Sequence, residues 1–306
     1  MYDAANSVSA QVMALYFRYA EPLQVAWRKR ARLGLYSVEQ ATGLPVCVVA
    51  PVRLTARCIA ACPDVIAAQA ASIGKFLTAA QACRRSALFK PTAAVIELMR
   101  YPDPDAYLQS IKRHSGGNLI REIKQARTKF GCRIINRNAY PEAIRAIEHS
   151  LLFRSGGPVV PALLARLVRG MPRPLNPDNA VHPPQCPRHY RMDWGVFARG
   201  SAGSQPDAEK LVGYLYLRRI ENGARVMAFM GHGDVLQDGA MKLLFSDVMS
   251  WLLTRQDEAV QGLEFLQYGA LEQGGIGLLG WKRRFGFVPV LIDFMQVPPS
   301  AQELAP

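Results

Sequence analysis

The chain has 306 residues, half of them hydrophobic and a fifth charged, enough to bury one large core or two smaller ones. No apolar run approaches the roughly 18–20 uncharged residues of a membrane helix. Thirty-seven Lys and Arg against 24 Asp and Glu leave a net charge of +13, which draws anionic partners such as RNA, the phosphates of coenzyme A, nucleotide sugars or acidic lipid surfaces.

The N-terminus carries Asp3 and no early cation, which argues against a signal peptide, so a cytoplasmic protein with no integral membrane segment is expected. Six cysteines without a CxxC pair read as reduced, mostly buried thiols. Residues 1–85 suggest a helix, a basic segment, a strand at "LPVCVVAPVRL" and an Ala-rich helix. "AAVIELMRY" follows as a strand, and Pro-Asp-Pro-Asp then starts a basic helix over Tyr107–Phe130, with Gly131 as its C-cap. "CRIINRN" reads as a short strand, and Pro141 opens a further helix. Residues 171–190 are dense in proline and form a connection.

The last third alternates more clearly. "HYRMDWGVFARG" is a strand, and "KLVGYLYLRRIENGARVMAFMGHG" is a hairpin turning at Glu221-Asn222-Gly223, its side chains alternating as in a half-buried sheet. An amphipathic helix at 240–255, a strand "LEFLQYGA", a short helix "QGGIGLLGWKRRFG" and a closing strand "FVPVLIDFMQ" complete the order. Strands and helices in this order predict an α/β (α+β) fold with a mixed sheet flanked by helices. The expected divisions are 1–85, 86–170, 171–190 and 191–306.

Two stretches, "YLQSIKRHSGGNLIREIKQARTKFG" and Gly213–Val290, together resemble the GNAT-like N-acyltransferases. The resemblance is closest to the Fem-like aminoacyltransferase branch, and it covers roughly residues 90–290. It implies a GNAT-like sheet, with residues 1–85 as part of a degenerate tandem GNAT arrangement. The donor is then an aminoacyl-tRNA or an acyl-CoA, used as co-substrate with no tightly bound cofactor. The acceptor is an amine on a small molecule, a peptide or a cell-envelope precursor. Acetyl-CoA users of this superfamily hold pyrophosphate on a Gly-rich loop at a helix N-terminus. Gln237, Gly239 and Ala240 echo that loop one residue short, beside the repelling acids Asp234 and Asp238. Ser115-Gly116-Gly117 departs from the family by loosening the basic helix.

Acyl transfer to an amine passes through a tetrahedral oxyanion, and a fixed cation beside it can contribute about 3–4 kcal/mol. The resemblance implies this role for Lys282, next to Trp281 and four residues before Gly286, where many acetyltransferases carry a Tyr acid. Arg283 and Arg284 read as phosphate contacts or plain surface. The basic helix carries Lys112, Arg113, Arg121, Lys124, Arg127 and Lys129 against the single acid Glu122, a bias that suits the phosphates of the donor. A helical count places Arg113, Arg121 and Lys124 on one side. Candidates for a general base are His232, Asp234 and Glu272, each equally at home in a turn. His182 and His189 have no partners at metal-ligand spacing, and no metal is expected. The Gly274, Gly275 and Gly277 run reads as a tight turn. The alternative is a non-catalytic basic protein, binding nucleic acid or associated with polysaccharide or lipid, on a degenerate acyltransferase fold.

Overall fold

The computed structural model describes residues 93–151, 186–199, 209–270 and 276–296, with residues 19, 23, 48–54, 153–154 and 157–158. In chain order the elements begin with β1 (Val48–Leu54), β2 (Ala93–Glu97), α1 (Pro104–Ser115), α2 (Asn118–Lys129), β3 (Phe130–Ile135) and α3 (Pro141–His149). A two-residue pair, β4 (Phe153–Arg154) and β5 (Gly157–Pro158), follows. The rest is β6 (His189–Ala198), β7 (Lys210–Ile220), β8 (Gly223–Gly231), α4 (Ala240–Thr254), β9 (Phe265–Ala270), α5 (Ile276–Arg284) and β10 (Val288–Gln296). The helices expected within residues 1–85, the glycines 274 and 275, Glu272 and His182 lie outside the described residues.

The fold is the mixed α/β sheet flanked by helices that the sequence predicts. Eight strands run in the order β1-β10-β2-β9-β8-β7-β6-β3. Pairing is antiparallel except for β1 with β10 and β8 with β9. The hairpin turns at Glu221-Asn222, with Ile220 opposite Gly223, and β8 lies beside β9 as expected.

Local chemistry sets the helix ends. The Asp103 carboxylate accepts from the Ala106 N–H at 2.7 Å, and Pro104 occupies the first turn of α1. Gly116 and Gly117 then take φ of 66° and 80°, a left-handed pair that any β-carbon would disfavour. The basic segment is therefore two helices rather than one, and the shared side counted for Arg113, Arg121 and Lys124 does not hold. Gly131 is not the cap: α2 ends at Lys129, and Gly131 lies inside β3, paired with Phe197.

One face of the sheet is covered by α1, α2, α4 and α5. Its core joins Leu119, Ile123 and Ala126 of α2 to Leu244, Phe245 and Val248 of α4, and to Met192, Leu215 and Leu266 of the strands. Each such large side chain contributes about 1.5–3 kcal/mol by leaving water. The other face receives α3, whose Ile147 packs with Phe197, Leu211 and Tyr214. Because both faces are covered, β7 is buried at every residue except Lys210 and Tyr216. This replaces the half-buried alternation expected of the hairpin. A bulge also shifts the register between Val196 and Phe197, so Val212 and Tyr214 join different cores. The helix α4 is likewise buried around most of its circumference rather than along one stripe. Among the described residues no helix is long and apolar enough to cross a membrane.

Candidate functional site

The parallel pair β8 and β9 shares a ladder over only three positions, Gly223 with Phe265, Ala224 with Leu266 and Arg225 with Gln267. Both strands continue beyond it, β8 to Gly231 and β9 to Ala270. A ladder that stops while its strands continue leaves a gap where backbone groups can meet a substrate instead of each other. Aromatic side chains line the helix-covered side of this gap. Phe229 of β8 meets Tyr268 of β9 edge to face at 5.8 Å, and Trp281 of α5 lies 5.3 Å from Phe229 and 5.7 Å from Tyr268. Phe245 and Phe285 close the cluster, each 4.9 Å or less from Trp281.

Lys282 stands in this wall. Its side chain is buried at 1% exposure, and its Nζ lies 5.1 Å from the centre of the Tyr268 ring. A cation over a ring face is held by the ring's quadrupole, more strongly where water is excluded. Burial also pushes the Tyr268 phenol well above its ordinary value, so it stays protonated and neutral beside Lys282. Arg283 is exposed. Arg284 instead donates to Glu122 of α2 at 2.9 Å, and Lys242 of α4 reaches the same carboxylate oxygen at 3.0 Å. Burial alone would raise the Glu122 carboxyl, but the hydrogen bonds and charges of Lys242 and Arg284 hold it below its ordinary value.

The loop after β8 is built differently. His232 accepts from the Asp234 N–H at 3.4 Å, and the Asp234 carboxylate lies 3.5 Å from the same ring nitrogen. Ser150 at the end of α3 accepts from the Gly233 N–H at 3.0 Å. The structure thus seats the His232–Asp234 turn on α3 and Lys282 on Tyr268, and no described contact joins them. Gln237 is exposed, whereas Gly239 is buried with φ of +81°. A β-carbon on Gly239 would lie 3.3 Å from the Glu122 carbonyl oxygen and from Ala126 Cβ, so α2 packs directly on the start of α4. Asp238 is paired with Lys129 at 2.6 Å.

The basic residues divide into two groups. Arg127 pairs with Asp247, and Lys129 with Asp238. Lys112, Arg113, Arg121 and Lys124 are exposed and form no ion pair among the described residues; Lys112 and Arg113 border an open depression with Gln109. Lys112 and Arg113 lie in the last turn of α1 and Arg121 and Lys124 follow on α2, on the two sides of the Gly116-Gly117 corner.

Sequence reasoning missed a second set. Arg191 of β6 pairs with Arg218 of β7, Arg218 with Arg225 of β8, and Arg225 with Gln267 of β9. Three arginines thus stand side by side on three adjacent strands, at the end of the ladder where β8 and β9 part. Like charges directly opposite are unfavourable, and burial lowers the Arg225 guanidinium from its ordinary value. The Gln267 side chain is fully buried, and neither atom of its amide has a hydrogen-bond partner among the described residues. The signal was available once the loop is placed at Glu221-Asn222: Ile220 then faces Gly223, and two steps further Arg218 faces Arg225. Among the described residues no group of three His, Cys, Asp or Glu is placed to hold a metal.

No family model matches the sequence, and no curated protein does. Among solved structures, it is similar to the C-terminal domain (DUF2156) of a protein described as a lysylphosphatidylglycerol synthetase from Agrobacterium fabrum, at 12% identity and a TM-score of 0.37. L-PGS from Bacillus licheniformis gives 12% and 0.35. Both alignments cover 65% of this chain and 57% of the other, so the chain spans little more than half the length of either. The likeness is remote.

Proposed function

We propose that the chain is an N-acyltransferase of GNAT-like type that moves an acyl or aminoacyl group from an activated carrier to an amine. The observation that carries this reading is Lys282: an ammonium buried at 1% exposure in the aromatic wall beside the gap between β8 and β9. An extended acyl or aminoacyl arm can pair with strand edges beyond Arg225 and Gln267, and the oxyanion formed on its carbonyl meets a cation whose field is little screened. Trp281 and Tyr268 hold that cation by packing.

Aminoacyl-tRNA is the donor this arrangement favours. The corner formed by Lys112, Arg113, Arg121 and Lys124 suits a phosphodiester backbone. Gln237 and Gly239 are poorly suited to pyrophosphate, because α2 packs on the start of α4 and Asp238 stands there with Lys129. The amine acceptor is a small molecule, a peptide or a cell-envelope precursor. His232, Asp234 and Glu272 are then dispensable as bases if the amine arrives neutral.

The test is single-turnover transfer from aminoacyl-tRNA to a panel of amines. Lys282→Met should lower kcat about 10²–10³-fold with donor affinity unchanged, since the oxyanion exists only in the transition state. Arg283→Met should act mainly on KM, because a phosphate contact holds both states alike. Near-normal kcat in Lys282→Met would take the oxyanion role away from Lys282, and no transfer by the wild type to any amine would leave a non-catalytic RNA-binding protein as the better reading.

A further inference from the structure

At the far end of the sheet, the turn that leads into β6 and the turn between β7 and β8 bring three side chains into line. Cys186 Sγ lies 3.6 Å from His189 Nδ1, and His189 Nε2 lies 3.2 Å from Glu221 Oε1. His189 and Glu221 are each 3% exposed, whereas Cys186 is half-buried. Cys186 and Glu221 occupy opposite edges of the ring, so they cannot share one metal ion. They form a relay instead. Glu221 accepts the hydrogen of Nε2, which fixes the tautomer and leaves Nδ1 facing the sulfur as a base.

The backbone agrees with this assignment. Glu221 takes φ of 53° at the first loop position of the hairpin, where glycine is the unstrained choice. The strain is retained at a residue whose carboxylate holds His189. The Glu221 N–H also donates to the Arg188 carbonyl at 3.0 Å, which ties the two turns together. Burial alone would raise the thiol, but the backbone N–H groups of Arg188 and His189, with the imidazole, bring it below its ordinary value.

Charge near the relay is positive. The Arg188 guanidinium lies 3.9 Å from Glu221, and Arg191 follows His189 by two positions on the same face of β6, opposite Arg218. An electrophile bearing phosphate would have its charge matched there.

We infer that Cys186, His189 and Glu221 form a nucleophilic site that accepts an acyl group from anionic acyl thioesters, distinct from the Lys282 site. His189 takes the thiol proton, Sγ bonds to the acyl carbon, and the bond from that carbon to the carrier sulfur breaks. The departing thiolate takes the proton from Nδ1, so one thioester and one thiol give another thioester and thiol. No redox partner enters.

The experiment uses the full chain with acetyl-CoA as the anionic thioester and S-acetyl-N-acetylcysteamine as the neutral one. Peptide mapping should find one acetyl group on Cys186, removable by hydroxylamine, formed about 10-fold faster from acetyl-CoA, the ratio a single well-matched charge contact gives. In parallel, iodoacetamide alkylation of Cys186 should rise at lower pH than for an ordinary thiol. His189→Gln and Glu221→Gln should move that profile upward, with far-ultraviolet circular dichroism confirming that each variant is folded. Should a variant not fold, the wild-type profile and the acetyl map still decide. A Cys186 that alkylates as an ordinary thiol overturns the inference, and so does an activated thiol that acquires no acetyl group from either thioester. Neither result bears on transfer from aminoacyl-tRNA, which is measured separately.

Discussion

Replacing Lys112, Arg113, Arg121 and Lys124 together by Gln gives a quantitative test of the corner between α1 and α2. These four side chains are exposed and without ion pairs among the described residues. Each cation that neutralises a phosphate releases a counterion and adds about 0.7–0.9 to the slope of log affinity against log salt. Four contacts therefore contribute roughly 2.8–3.6 to the slope. Between 50 and 200 mM salt, a fourfold change, the wild type should lose about 50- to 150-fold more tRNA affinity than the quadruple variant. Filter binding over a KCl series measures it directly. The ion-paired Arg127 and Lys129 on the same helix provide the control, since Asp247 and Asp238 already hold them. Their replacement by Gln should leave the slope nearly unchanged. Equal slopes for wild type and quadruple variant would refute the assignment. An equal change from the Arg127/Lys129 pair would show that net charge, not placement, governs binding.

Gly213 and Gly231 face each other across β7 and β8, and a β-carbon on either would lie 2.6 Å from Met241 Sδ. Gly231→Ala should therefore cost about 1–3 kcal/mol in urea unfolding, with part of the loss recovered in Gly231→Ala/Met241→Ala. The lowered carboxyl of Glu122 binds its proton more weakly folded than unfolded, so its stabilisation is present above the ordinary carboxylate value and lost as pH falls through the folded one. Glu122→Gln should remove that acid-sensitive part, and a variant as acid-sensitive as wild type would contradict it. Asp193 runs the other way: burial raises its carboxyl, so its ionisation costs stability as pH rises, and Asp193→Asn should flatten that fall.

The hairpin and the strands around it were legible because a short turn fixes a register, and Glu221-Asn222-Gly223 between two apolar runs advertises one. The split of the basic helix was written at Gly116-Gly117, but its consequence was not. A continuous helical count gave Arg113, Arg121 and Lys124 one shared side, and the turn puts Arg113 on a different helix from the other two. Lys282 could be picked out by its apolar neighbours, yet no sequence pattern places Tyr268 beneath its ammonium. That contact depends on β9 and α5 packing against one face. Arg191 meets Arg218 across 27 positions, and His189 meets Glu221 across 32, both through the pairing of β6 with β7. Periodicity along one element cannot see them. The burial of β7 on both faces was hidden for the same reason, because α3 covers it from outside the hairpin.

The distribution of positive charge ties the α1–α2 corner to the wall that holds Lys282. Glu122 lies on α2 between Arg121 and Ile123, and its carboxylate holds Arg284 of α5 and Lys242 of α4. The helix that offers Arg121 and Lys124 to solvent is thereby fastened to the helix that carries Lys282. Phe285 strengthens the same joint: it packs 4.4 Å from Trp281, and its carbonyl accepts from the Tyr107 hydroxyl of α1 at 3.0 Å. Burial raises the Tyr107 phenol, so it remains a donor across the pH range in which the fold survives. A polyanion docked on the α1–α2 corner therefore rests on the two helices that position the Lys282 wall. Surface charge alone could serve solubility. Charge fastened by these contacts to a residue held in an aromatic wall supports the proposal that the chain binds a large anionic carrier and reacts at one end of it.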